Sequence, residues 1–394
     1  MTDLETRVAP PHAPLLRRAV VALLGYAAVR ALGLAVLAVW SAARGKSAHT
    51  LLTARWDSLW YTRVAELGYG YEVRLPNGDV HSNLAFFPLL PWLERLLHAV
   101  TPLSYADAGF VVSLLGSLAA AAGIYAVAER VYGARAGICA VLLWAVLPVG
   151  VVQSMAYSES LFTALAAWSL YALLTGRWVS AGVLAALAGL TRPVGVAVVA
   201  AVWTAGVVSF VRERGAERTP GALPSLYAPR RRRALGMLLA PLGAAAYVLW
   251  VGHRTGKGPL GYLDVQAGWR NGFDGGYAFA RFVADKFTSF PSALAGLGLI
   301  VGVALLIWLY VTGVRERQPI ELLVYTGVVL ALALCASSYF GSKPRLLMPA
   351  FPVLLPLARA LAGQRDFRSA LVTAGLAVVA AVYGAFWLNG SGPP

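Results

Sequence analysis

The stretch LLRRAVVALLGYAAVRALGLAVLAVWSAA, residues 15–43, decides the class of fold. It is almost wholly apolar and longer than the about 20 residues a helix needs to cross a bilayer. It is too long for the apolar part of a cleavable leader and carries no convincing cleavage site. It therefore reads as a first membrane helix, with no signal peptide. Working outward, similar runs lie near 106–128, 136–155, 158–175, 193–211, 234–251, 291–313, 320–340 and 369–389. Two shorter ones, 178–191 and 346–360, reach across if their ends lie in the interface. The expectation is an all-α polytopic bundle of about eleven spans, one integral membrane unit over residues 1–394.

Composition agrees. Of 394 residues, 59% are hydrophobic and 13% charged, and the mean hydropathy is +0.66. Soluble domains carry about 45–50% apolar and about 25% charged residues, so a soluble or disordered chain is excluded. The net charge of +15 does not point to nucleic acid, because the basic residues sit in short loops between apolar runs. That is a topology signal. With the N-terminus cytoplasmic, the inner loops carry Arg130, Arg135, Arg177, the cluster Arg212 to Arg233, Arg315, Arg317, Arg359, Arg365 and Arg368. An odd number of spans puts the C-terminus outside. The expected location is the plasma membrane, with the chemistry on its extracytoplasmic face. Cys139 and Cys335 both lie in apolar runs, so no disulfide or metal framework is read from them.

The outer side carries two long segments, 44–105 and 252–290. Residues 53–67 place apolar side chains at 56, 59, 60, 64 and 67, the spacing of an amphipathic helix lying at the interface. Residues 69–83 are rich in Gly, Asn and Asp and read as a loop. Residues 84–93 return to the membrane, with Pro88 and Pro91 kinking or capping the chain. Segment 277–290 is a second interfacial candidate.

Candidate chemistry gathers in these outer segments. Asp57, between Arg55, Trp56 and Trp60, is a carboxylate near a lipid surface. Such a group is a functional candidate by default, able to act as a general base. It could equally cap a helix or pair with Arg55. Glu159, in Tyr157-Ser158-Glu159-Ser160, needs a partner such as Arg192 or another outer arginine, or is a helix-start acid favoured by the dipole. Arg192, Lys343 and Arg345 are positive charges on the side where topology disfavours them. They seek an anion such as a lipid phosphate, or snorkel to headgroups. Arg30 lies mid-span and asks for a partner or a cavity. His81 is a base, a ligand or a plain loop residue. No metal is required, although Asp57, Glu159 and Asp79 could build a divalent-cation site. There is no Walker A, Gly-x-Ser-x-Gly, His-Glu-x-x-His or Asp-x-Asp sequence. A sugar donor therefore need not be a nucleotide.

These residues carry a resemblance. Arg55-Trp56-Asp57-Ser58-Leu59-Trp60-Tyr61, then Ala65-Glu66-Leu67-Gly68-Tyr69 and Ala85-Phe86-Phe87-Pro88-Leu89-Leu90-Pro91, resemble the first outer loop of the PIG-V-type (GPI mannosyltransferase 2-like) family. Ala156 to Phe162 resembles its Tyr-Ser/Thr-Glu block, and Pro344 to Pro352 its late Arg-(Tyr/Leu)-Leu-x-Pro block. Thr191-Arg192-Pro193-Val194 departs from the family's Arg-Ser-Asn-Gly. The eukaryotic members act on the GPI anchor, and related proteins occur widely in actinobacteria. The high Ala, Gly and Arg content suggests a high-GC bacterium without that anchor, so the eukaryotic acceptor is not carried over.

The resemblance implies a GT-C membrane glycosyltransferase using a polyprenyl-phosphate sugar, with its catalytic carboxylate in the first outer loop. Asp57 holds that position. The expectation is an inverting mannosyltransferase with Asp57 as general base. Arg345, Lys343 and Arg192 would bind the donor phosphate. Glu159, Trp56, Trp60, Arg55, Tyr157 and His81 would serve the acceptor or sugar, with Phe86 and Phe87 stacking or anchoring the loop. The acceptor would be a glycolipid, a glycan or a protein. Alternatives are another donor sugar on the same fold, or a lipid or sugar transporter or flippase. A transporter predicts inverted repeats, and none is visible.

Overall fold

A computed structural model describes residues 15–217, 230–390 and 392. The N-terminal residues 1–14, and residues 218–229 of the Arg212 to Arg233 cluster, lie outside the described residues. Helix α1 spans Leu15–Ala43. It is followed by α2 (Ala48–Thr53), α3 (Asp57–Leu67), the hairpin β1 (Glu72–Arg74) and β2 (Val80–Ser82), and α4 (Leu89–Val100). Then come α5 (Tyr105–Tyr132), α6 (Ala134–Ala145), α7 (Ser158–Leu174), α8 (Trp178–Gly189) and α9 (Val196–Glu217). The second half holds α10 (Arg230–Leu239), α11 (Leu242–Thr255), α12 (Gly261–Gly268), β3 (Gly272–Phe273), α13 (Tyr277–Asp285) and α14 (Ser292–Arg315). It ends with α15 (Ile320–Cys335), β4 (Ala336–Ser337), α16 (Lys343–Leu347), α17 (Leu355–Ala362) and α18 (Asp366–Asn389).

Among the described residues, six helices are long and apolar enough to cross a membrane, or seven if the bent pair 340–347 and 351–362 makes one span. Helices α6, α8 and α15 are apolar but shorter. The count of about eleven stands as an expectation. Several expected spans are broken, and proline explains the breaks. The run at 136–155 is helical only to Ala145, because Pro148 lacks the N–H that would continue the ladder. The run at 234–251 is interrupted at Pro241. Residues 346–360 turn by 74° between two helices, where Pro349 and Pro352 lie.

The break after α6 gives Arg30 its partner. A helix end in an apolar medium needs its last carbonyls satisfied. Arg30 donates to the carbonyls of Ala145 and Gly150, and Gln153 Nε2 donates to Trp144 O at 2.8 Å. The intramembrane arginine thus closes a helix terminus.

A continuous apolar core runs from Ala19 on α1 to Leu388 on α18. Small residues set the crossing of α5 on α7. A Cβ at Gly116 would stand 3.1 Å from the backbone of Leu161, and one at Gly123 2.9 Å from Ala167. Only glycine lets the two backbones approach this closely.

The outer segments differ from expectation in detail. The interfacial helix at 53–67 is two helices, α2 and α3, parted at Ala54 to Trp56. Trp56 has φ of 54°, a strained value for a bulky side chain. Its cause is local: the Arg55 N–H donates to Ser58 Oγ, which in turn donates to Arg55 O, tightening the turn into α3. The loop at 69–83 contains the β1–β2 hairpin, with Val73 opposite His81. Pro88 caps α4. Segment 277–290 forms α13 over its first half.

Helix α4 holds an unusual group. Glu94 is fully buried against Gly109 of α5. Neither carboxyl oxygen has a hydrogen-bond partner among the described residues. Burial pushes its pKa well above the ordinary carboxylate range. The folded chain therefore binds this proton more tightly than the unfolded one. The associated stability is complete below the unfolded value, about 4.3, and is lost as pH rises toward the folded one. Thermal melts of the native protein are expected to fall as pH is raised from about 5 to 9. Glu94→Gln is expected to flatten that slope, and an unchanged slope would place the titrating group elsewhere.

Candidate active site

Asp57 is the first residue of α3, with Trp56 before it offering no side-chain cap. Its Oδ2 lies 2.7 Å from Arg345 Nη1 on α16. Arg345 Nε lies 3.3 Å from Glu159 Oε1 on the first turn of α7. Glu159 Oε1 lies 2.5 Å from Arg192 Nη1 at the α8–α9 junction. Arg192 Nη1 also donates to Ser158 Oγ at 3.0 Å, and Ser158 Oγ meets Tyr61 OH at 2.7 Å. Tyr61 stands four residues after Asp57, on the same face of α3. The chain of contacts therefore closes on itself. Four segments distant in sequence meet in one ring.

Both acids sit in first turns, where the helix dipole favours negative charge. They differ in exposure. The Asp57 side chain is 26% accessible, whereas that of Glu159 is 0% accessible. Asp57 can meet a substrate. Glu159 can only hold the two guanidiniums together. Desolvation pushes the Tyr61 hydroxyl above its ordinary value, so it stays protonated. The Arg345 guanidinium also lies 5.0 Å over the ring of the buried Tyr157.

The remaining expected residues are placed as follows. Lys343 is turned away from the ring. Its Nζ donates to Ala333 O and Ala336 O at 2.7 and 2.8 Å, closing the C-terminus of α15. Arg55 does not pair with Asp57. It donates to Leu388 O and Gly390 O at 2.7 and 2.8 Å, tying the turn before α3 to the end of α18, and stacks on Trp56. His81 is stacked on Trp269 at 4.0 Å, apart from the ring; burial lowers its pKa, with Asp79 opposing. Phe86 lies under Trp60, stacked at 5.6 Å, and Phe87 packs on Tyr247.

The divalent-cation site fails. Asp79 is engaged by Arg270 at 2.5 Å, and Arg345 stands between Asp57 and Glu159 where a cation would sit. No cluster of three or more metal-ligating side chains occurs among the described residues. Sequence reading did not assign Tyr61, Ser158 or Trp269. Tyr61 could have been found from its i+4 spacing to Asp57; Trp269 carried no signal, because its partners are about 190 positions away.

Residues 83–220 match the dolichyl-phosphate-mannose-protein mannosyltransferase family. That stretch includes Glu159 and Arg192 but neither Asp57 nor Arg345. No curated protein matches the chain. The crystal structure of ArnT from Cupriavidus metallidurans bound to undecaprenyl phosphate superposes with a TM-score of 0.53 at 18% identity, over 90% of this chain and 63% of that one. The oligosaccharyltransferase AglB from Archaeoglobus fulgidus, in complex with an inhibitory peptide and a dolichol-phosphate, gives 0.47 at 12% identity, over 94% and 56%. The chain thus spans less than two thirds of the length of either structure. It shares the fold of the ArnT structure, and six or seven of its described helices are long and apolar enough to cross a membrane.

Proposed function

We propose that the chain is an inverting membrane glycosyltransferase of the PIG-V type, transferring a hexose, most simply β-mannose, from a polyprenyl phosphate to an extracytoplasmic acceptor. The observation that carries the reading is the partly accessible Asp57, held by Arg345 beside Arg192 in a ring otherwise largely closed to water. The family match names a lipid-phosphate mannose donor, and the structure sharing the fold holds undecaprenyl phosphate.

Asp57 takes the proton of the acceptor hydroxyl as its oxygen attacks the anomeric carbon. The bond from that carbon to the phosphate oxygen breaks on the opposite face, and the electron pair leaves with the polyprenyl phosphate. A β-linked donor thereby yields an α-mannoside. Arg345 and Arg192 face the negative charge that grows on the departing phosphate, which is where preorganised cations lower a barrier. Glu159 fixes both guanidiniums, and Tyr61 with Ser158 fixes the far end of Arg192. Lys343, spent on backbone carbonyls, has no part in this scheme.

The test is reconstitution of the purified chain with labelled polyprenyl-phosphate mannose and an extract of the source cell. Label is expected in new products. Transfer only from another polyprenyl-phosphate sugar would change the donor and keep the mechanism. No transfer from any such donor, with the protein folded, would overturn the reading in favour of transport.

A further inference from the structure

Beside the ring lies a second group of side chains that the scheme above does not use. Trp60 stands three residues after Asp57, one helical turn along α3. Its ring packs edge-on to Trp269 at 4.9 Å and tilted against Tyr71 at 5.7 Å. Trp269 in turn stacks on His81. Three separate stretches, the start of α3, the β1–β2 hairpin and the end of α12, thus bring four aromatic rings together, with Trp60 one helical turn from the carboxylate. Behind them Phe86, Tyr61 and Leu90 are buried. In front, Tyr71 is 36% exposed, and Trp60, His81 and Trp269 are half-buried.

The rim of this group is ionic. Arg63 lies 4.1 Å over the Tyr71 ring, and the Asp79–Arg270 pair flanks His81. Rings that anchor a protein in lipid face hydrocarbon and headgroups. These face charged side chains and one another across two loops. The Trp269 indole N–H is spent on Ser82 O at 3.0 Å, which fixes its ring in place. A ligand suited to such a surface has an apolar face edged with hydroxyl groups. A pyranose has both: its axial C–H groups lie against the electron-rich face of an indole or phenol, and its hydroxyls reach the guanidinium and carboxylate at the rim.

We infer that Trp60, Tyr71, His81 and Trp269 form the acceptor subsite, and that the acceptor presents a neutral sugar to Asp57 rather than a protein hydroxyl. The inference rests on the glycosyltransferase reading and narrows its acceptor to carbohydrate, free or lipid-linked.

Two measurements on the full chain in nanodiscs test it. The first is direct binding of methyl α-mannoside and a short α-linked manno-oligosaccharide, followed by saturation-transfer NMR without donor. Binding to the native chain is expected, weakened in Tyr71→Ala and His81→Ala variants that melt like the native protein. The second is transfer kinetics to the oligosaccharide. Tyr71→Ala is expected to raise the acceptor KM by about three- to tenfold, the loss of one aromatic contact, with kcat and donor KM unchanged. A merely structural role would move all three together. No sugar binding by the native chain, or native affinity in both variants, overturns the subsite. Transfer to peptide hydroxyls but not to sugars overturns it while leaving the glycosyltransferase standing. Binding without transfer from any donor leaves the subsite standing and removes the donor reading.

Discussion

Asp57→Asn is expected to lower kcat by about a hundred- to ten-thousand-fold, the usual contribution of a positioned general base. The chain should still fold. The side chain is partly open to water, and the amide oxygen can still accept from Arg345. Donor binding should hold or tighten, since one negative charge beside the phosphate is gone. The measurement is single-turnover transfer together with equilibrium binding of the lipid donor. Native turnover in this variant would remove Asp57 from the chemistry. Loss of donor binding would make it a binding residue instead.

Glu159→Gln is expected to show the opposite signature. Glu159 is fully buried between Arg192 and Arg345. Removing its charge leaves two largely buried guanidiniums facing one carboxylate. Breaking a buried pair in this way costs about 3–5 kcal/mol, a large share of the stability of an ordinary domain. A marked drop in melting temperature should therefore accompany any loss of activity. A variant that melts like the native chain would mean that the ring does not hold the helices together. The two carboxylates are thus separable in one pair of experiments, one acting on rate and the other on stability.

The contrast also shows what could be read in advance. Hydrophobic runs located α1, α5, α14 and α18 closely, because a membrane helix declares itself by continuous apolarity. Asp57 stood out because an acid beside two tryptophans after a span is costly unless paired, and the structure pairs it with Arg345. Less was legible where direction mattered. Lys343 and Arg345 stand two positions apart in the same short loop and look interchangeable on the page. Residues i and i+2 on a helical turn do not share a face, and α16 sends one to a helix terminus and the other to the carboxylates. Arg30 was flagged without a partner because that partner is a pair of backbone carbonyls on either side of the helix break at Pro148, and no side-chain pattern announces them. The cross-loop rings around Trp269 were illegible for a third reason: they depend on long-range packing.

The ring of Asp57, Arg345, Glu159 and Arg192 has a consequence for how the site would load. It carries two cations and two anions, so it is electroneutral as it stands. A phosphodiester arriving there adds one more negative charge than the ring can balance. Entry becomes an exchange of counter-ions: the phosphate must win a guanidinium from a carboxylate already holding it. Glu159, walled in, cannot let go, whereas Asp57 at the rim can. Occupancy by the donor would then be the event that releases the base, leaving Asp57 unengaged only while there is a sugar in place to be transferred.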